Sequence, residues 1–127
     1  MANTDNIISF VADGAITEYA LVSTTTAGKV SVTTAATDAR CIGVAQRACA
    51  SGDSVEVVVS GLTRVVAGDT IANSATLVMA HTAGKVKAHA TSGNYSIGSV
   101  IPNINQVSSA SGDQITINFT GPQNLIP

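Results

Sequence analysis

Along most of the chain, apolar and polar residues alternate at every second position, the period of a strand with one buried face. The clearest run is Ser51-Gly-Asp-Ser-Val-Glu-Val-Val-Val-Ser-Gly61, in which Val55, Val57 and Val59 share a face. It returns as Ser111-Gly-Asp-Gln-Ile-Thr-Ile-Asn-Phe-Thr-Gly121, with Ile115, Ile117 and Phe119 in the same places. Each copy opens on a Ser-Gly-Asp turn, because Gly reaches positive φ and Asp bonds its own backbone. Gly closes both. Val58 interrupts the alternation: it falls on the outward face between Glu56 and Ser60, where its counterpart is Asn118. An outward valine reads either as a lone exposed apolar residue or as a subunit contact.

Other strands are predicted at Ile7-Ile-Ser-Phe-Val-Ala12, over residues 16–22, over 29–33 with Val30 and Val32 inward, and over 41–45. Asp13-Gly14 and Ala27-Gly28 are turn dipeptides between them. Residues 35–39 fit either a loop or one helical turn. The second half replays this order. Thr82-Ala-Gly-Lys-Val86 repeats Thr26-Ala-Gly-Lys-Val30 letter for letter, and Ile97-Gly98 answers Ile42-Gly43. The offset is roughly 56 residues early and about 60 late, near the upper end for repeat units. The chain is therefore read as one domain of two similar β-modules, 7–61 and 62–121. A polar arm, 1–6, precedes them and an irregular tail, 122–127, follows. The modules are expected to pair into one closed or nearly closed sheet system.

Eleven glycines punctuate 127 residues, and short strands with frequent turns define an all-β class, a small compact barrel or sandwich. No segment holds the 3.6-residue period over helical length. Pro102 should end the strand before it or mark an edge. Aromatic residues make up 3% of the chain and Trp is absent. The core must then come from Val, Ile, Leu and Ala, which bury less area each than large rings. Charged residues reach only 11%, against about 25% in ordinary soluble domains. Charge normally keeps strand edges apart, so its scarcity points to a surface covered by partners.

Six Lys and Arg residues and a net charge of −2 leave no basic footprint for nucleic acid. No apolar run reaches membrane-spanning length. Met1-Ala-Asn-Thr-Asp-Asn6 is polar and acidic, unlike a secretory signal, so synthesis and assembly in a cytoplasm are expected. Cys41 and Cys49 read as two reduced, partly buried thiols rather than a disulfide. His81 and His89 flank a turn where a cross-strand pair is possible, yet no third ligand stands at metal spacing. Asp13, Asp53, Asp69 and Asp113 all sit beside Gly, which is turn chemistry rather than an acid–base pair. No nucleophile elbow and no phosphate loop occurs. No enzyme, cofactor, metal or small-molecule substrate is expected.

The order of Asp13-Gly14, Ile42-Gly-Val44, Ser51-Gly-Asp53 with its strand, Val66-Ala-Gly-Asp69, Gly84-Lys-Val86, Ile97-Gly98 and Gly112-Asp113 through Phe119 resembles the head-decoration, or cement, proteins of tailed double-stranded-DNA phages. The likeness spans residues 7–121. It implies a compact β-rich structural protein, not an enzyme, placed as a homotrimer on the outer capsid surface of the virion. Its partner would be the major capsid protein, whose neighbouring capsomers it would tie together. An arm of Ala2, Asn3, Thr4, Asp5, Asn6, Ile7 and Ile8 would make the capsid contact, becoming ordered on binding. Val58 is a further candidate contact, as are Leu125 and Ile126, two apolar side chains at the end of an otherwise polar tail. The rival expectation is a β-rich module of a phage tail or fibre that recognises a surface glycan, with Tyr19 and Tyr95 as the candidate stacking rings.

Overall fold

The computed structural model describes residues 6–35, 40–72, 77–89, 95–101, 108–109 and 111–124. In chain order they form β1 (Ile7–Val11), β2 (Leu21–Thr24), β3 (Val30–Val32), β4 (Cys41–Ala45), β5 (Ser54–Val58), β6 (Gly61–Val66), β7 (Ile71–Ala72) and β8 (Leu77–Ala80). A 3₁₀ turn (Thr82–Gly84), β9 (Val86–Ala88), β10 (Tyr95–Ile101), β11 (Ser108–Ser109) and β12 (Gln114–Asn124) follow.

Two five-stranded antiparallel sheets carry the fold, ordered β1-β5-β4-β2-β3 and β6-β12-β10-β8-β9. Reading β6, β12, β10, β8 and β9 for β1, β5, β4, β2 and β3 gives one order twice. The hydrogen bonds at the turns repeat as well. Ala12 N–H donates to Asp53 O and Ala67 N–H to Asp113 O, both at 2.8 Å. Gly52 N–H donates to Ala12 O at 2.9 Å, and Gly112 N–H to Ala67 O at 2.7 Å. The protein is all-β and sandwich-like. It is not one closed sheet system, as the sequence led us to expect, because each half completes its own sheet. Single bridges, Ala12 to Val30 and Ala67 to Val86, bring each first strand round to the last strand of the same sheet.

The paired runs keep the expected register. Val55, Val57, Ile115, Ile117 and Phe119 are all buried. Val59 is only half-buried: it lies past the end of β5, whereas Phe119 sits within β12, between Gly61 and Gly98. Three strand boundaries differ from the sequence reading. Residues 16–22 are not one strand, since Tyr19 takes a positive φ of 60° and β2 starts only at Leu21. Its polar end is held inside by a 2.6 Å hydrogen bond between the buried hydroxyls of Ser23 and Thr33. Finally, Gly61 opens β6, and β12 runs through Gly121 to Asn124, taking in residues assigned to the tail.

Each sheet has its own apolar interior. Ala12, Ile16, Val22, Val30, Val55 and Val57 fill the first, and Ala67, Ile71, Val78, Val86, Ile115 and Ile117 the second. The second interior also takes Leu21, Cys41 and Val44 from the first sheet. The ladder pairs Leu21 with Val44 and Val44 with Val58, so these three side chains share the back of the first sheet. That back is seated against the front of the second. A Gly84 N–H to Thr33 O bond of 2.9 Å and a Gln46 Nε2 to Thr63 Oγ1 bond of 3.0 Å tie the rim.

This arrangement corrects the reading of Val58 as outward and exposed. It is 6% exposed, because the face opposite Val57 is covered by the other half of the same chain. The equivalent row of the second sheet is Leu77, Ser99 and Asn118, and there Asn118 is exposed. Valine stands where the back is covered and asparagine where it is wet. Val58→Asn is expected to lower unfolding free energy by about 1–3 kcal/mol, since it buries an amide without designed partners. Asn118→Val should stay within about 0.5 kcal/mol. Urea denaturation of both variants checks the pair; equal effects would place Val58 outside the contact between the halves.

Candidate interaction surface

The described surface carries its large exposed apolar side chains mainly at the sheet edges. Leu62 is 68% exposed, Ile7 46% and Ile8 45%, with Val11 and Ile101 also exposed. Ile7 and Leu62 occupy the same place in the two sheets, opposite Val58 and Asn118 respectively. They are also near each other. Val59 N–H donates to Asn6 O at 2.7 Å, and a Cβ at Gly61 would lie 3.2 Å from Asn6 Nδ2. The first strands of both sheets therefore begin at one corner, with apolar side chains displayed on each.

Of the candidate contact residues, Asn6 is half-buried against this corner, and Ile7 and Ile8 are strand residues paired with Val58 and Val57. The sequence placed both isoleucines in the first predicted strand as well as in the capsid-contact arm, and the structure has them in β1. Ala2, Asn3, Thr4, Asp5, Leu125 and Ile126 lie outside the described residues. Leu62, Val11 and Ile101 were not singled out. Leu62 was legible in principle, since aligning the halves places it on Ile7.

The rest of the polar chemistry is structural. Arg47 Nε donates to Glu56 Oε1 at 2.8 Å, and Arg47 Nη2 also bonds Ser54 O. The hydrogen bond from Arg47 holds the Glu56 carboxyl below its usual range, and Glu56 raises Arg47 in turn. Both side chains are solvent-exposed, so the pair orders the β4–β5 connection more than it stabilises the fold. Asp53 Oδ2 accepts from Ala50 N–H and Asp69 Oδ1 from Thr70 N–H, which is the local turn bonding expected of them. His81 and His89 do not form the cross-strand pair considered from sequence. His81 N–H bonds Lys85 O at one end of the β8–β9 ladder, while His89 N–H bonds Leu77 O at the other. Among the described residues no three His, Cys, Asp or Glu side chains converge. Cys41 lies in the core between the sheets and Cys49 against the first sheet's interior, with no disulfide joining them. Tyr19 packs against the core and Tyr95 is half-buried, so neither presents a fully open ring.

The described residues build a tandem pair of curled sheets with apolar side chains along their edges. The same fold occurs in the crystal structure of the N base of head fibre gp8.5 in bacteriophage phi29. The TM-score is 0.67 at 14% identity, over 90% of this chain and 92% of that one. No curated protein matches the chain significantly. The family model for phage cement proteins matches residues 3–117, and the chain belongs to that family.

Proposed function

We propose that this protein binds the outer surface of a phage capsid as a homotrimer and stabilises the shell by bridging neighbouring capsomers. The observation that carries this reading is the cement-protein match over residues 3–117, nearly the full chain. The exposed apolar corner of Ile7, Ile8 and Leu62 supports it, because an uncharged patch on a chain with few charges favours burial against a partner. The whole chain acts as one decoration domain, with its modules meeting at residues 61 and 62. Ala2 to Ile8 contact the major capsid protein, with Leu125 and Ile126 as a second point of attachment. Assembly takes place in the host cytoplasm.

The physical basis is avidity. Three modest contacts on one trimer form successively at high effective concentration, so their combined hold exceeds any single contact. Binding stabilises the shell only as far as the protein prefers the mature form over its precursors. The direct test adds purified protein to DNA-filled capsids lacking it and images the particles. Density on the outer surface at threefold positions is the expected result; failure to bind, or single scattered copies, overturns it. Deleting residues 2–6 is expected to weaken capsid binding while leaving the melting temperature of the β-core nearly unchanged. Unfolding of the deletion variant would make the arm structural.

The likeness to a head-fibre base gives the rival reading, a fibre-type module that recognises a surface glycan, some support at the level of fold. The packed Tyr19 and half-buried Tyr95 argue against it, since sugar rings are gripped by open aromatic faces. Glycan binding without capsid binding would favour that rival.

A further inference from the structure

Each module serves as an internal control for the other. Ile7 and Leu62 are equivalent, so Ile8 corresponds to Thr63. In the same alignment Ile42 corresponds to Ile97 and Val59 to Phe119. All three positions lie at the end of a module where its first strand, β1 or β6, begins. All turn inward. Ile42 and Val59 pack on the first interior, and Ile97 and Phe119 belong to the second. Ile8 and Thr63 stand opposite the buried Val57 and Ile117, on the same face as those residues.

The surroundings of the two trios differ. Over the second, β4 lies against β6 and β12, and Leu21, Cys41 and Val44 join Ile97 and Phe119 in one cluster. Gln46 Nε2 bonds Thr63 Oγ1 at 3.0 Å. Thr63 is 7% exposed, and Ile97 and Phe119 are 1% exposed. In the first module Ile8 is 45% exposed, and Ile42 and Val59 are half-buried. The covered trio carries a hydroxyl that its cover bonds, whereas the uncovered one is wholly aliphatic. An aliphatic place left wet at the position its duplicate buries is an acceptor without its cover.

We propose that Ile8, Ile42 and Val59 form a seat for an uncharged, aliphatic strand face of the major capsid protein, which lies on them as Leu21 and Val44 lie on the second module. A second copy of this chain has no such face to offer. Its row of Leu21, Val44 and Val58 is already buried, and the corresponding row of its second sheet is Leu77, Ser99 and Asn118. The seat is also continuous with the segment given to the capsid, because Val59 N–H donates to Asn6 O at 2.7 Å. The inference rests on the capsid-binding reading and deepens it. Ile42 and Val59 lie outside the arm, and the capsid side of the contact is assigned its chemistry. Apolar area leaving water at the seat then adds to what the arm contributes.

The test uses the full chain with Cys49→Ser, which removes the half-buried thiol and leaves Cys41 buried. Val59→Cys then places a reporter thiol in the seat, and its alkylation by iodoacetamide is followed in free protein and on DNA-filled capsids. Labelling is expected in the free protein and is expected to be lost on the capsid. Val59→Thr keeps the side chain's shape and adds a hydroxyl without a partner. It should weaken capsid binding by roughly tenfold and leave the melting temperature close to that of the wild type. A Val59→Cys thiol that stays reactive on bound particles overturns the seat and leaves capsid binding standing. Unchanged capsid affinity in Val59→Thr does the same. Protection that appears as the free protein self-associates would assign the seat to a second copy, and equally overturns the proposal. Absence of any binding to capsids removes both the seat and the reading on which it rests.

Discussion

Phe119→Ala is expected to remove about 3–5 kcal/mol of unfolding free energy, the usual consequence of emptying a fully buried aromatic site. Phe119 is 1% exposed and is the largest fully buried side chain among the described residues. Its ladder neighbours, Gly61 and Gly98, have no side chains with which to fill the hole. The loss should not stay within the second sheet. Phe119 belongs to the cluster that receives Leu21, Cys41 and Val44 from the first sheet, so the two halves are expected to unfold together at a lower denaturant midpoint. Against a typical total of about 5–15 kcal/mol, the variant would be marginal. Val57→Ala, which removes less volume from the first sheet's interior, should be milder. Circular dichroism across a urea series measures both; a Phe119→Ala loss no larger than that of Val57→Ala would show that the site collapses without cost.

The second large effect is expected at a glycine. A Cβ on Gly98 would stand 2.5 Å from Asn118 O, 3.2 Å from Asn118 C and 3.3 Å from Phe119 Cα. All three are backbone atoms of the neighbouring strand, so nothing there can rotate away. The close approach sits where the register of β10 shifts between Ser96 and Gly98. Gly43, its equivalent in the first sheet, would meet the Val58 carbonyl in the same way, and the Val57 Cγ1 methyl besides. Gly98→Ala should therefore prise β10 from β12 and cost about 1–3 kcal/mol or more. Gly112→Ala serves as the contrast: a Cβ there has nothing within 4 Å, although φ is +94°. Its cost should be the backbone term alone, roughly 1–2 kcal/mol. Preserved stability in Gly98→Ala would mean that the strands can separate by a few tenths of an ångström without penalty.

The strands legible in the sequence were those with one wet face and one dry face. Val55, Val57, Ile115 and Ile117 advertise their orientation because Glu56 and Thr116 lie between them. β6 was harder. Gly61-Leu-Thr-Arg-Val-Val66 carries its exposed leucine on the polar side, and only its alignment with β1 reveals it. Ser23 misled in the opposite sense, as a hydroxyl buried against Thr33 looks like loop composition when read alone. Val58 was noticed as anomalous, yet alternation cannot say whether an outward apolar residue meets another chain or the other half of its own. Of the candidate contact residues, Asn6, Ile7 and Ile8 were reached from sequence because a polar arm runs into an apolar strand. Leu62 lies near them only through the Asn6–Gly61 approach, a contact between residues far apart in the chain.

The seating of one sheet's back on the other's front has a bearing on self-limitation. Front-on-back stacking of like units is heterologous, and here it leaves the back of the second sheet open to another of the same kind. A repeat built that way propagates unless its last exposed back is unsuited to receive a neighbour, the part that capping repeats perform in solenoids. Ser99 and Asn118, standing where the first sheet has Val44 and Val58, give the second back that character. Two substitutions between duplicated halves thus mark the difference between a particle that ends after two units and a fibre that does not.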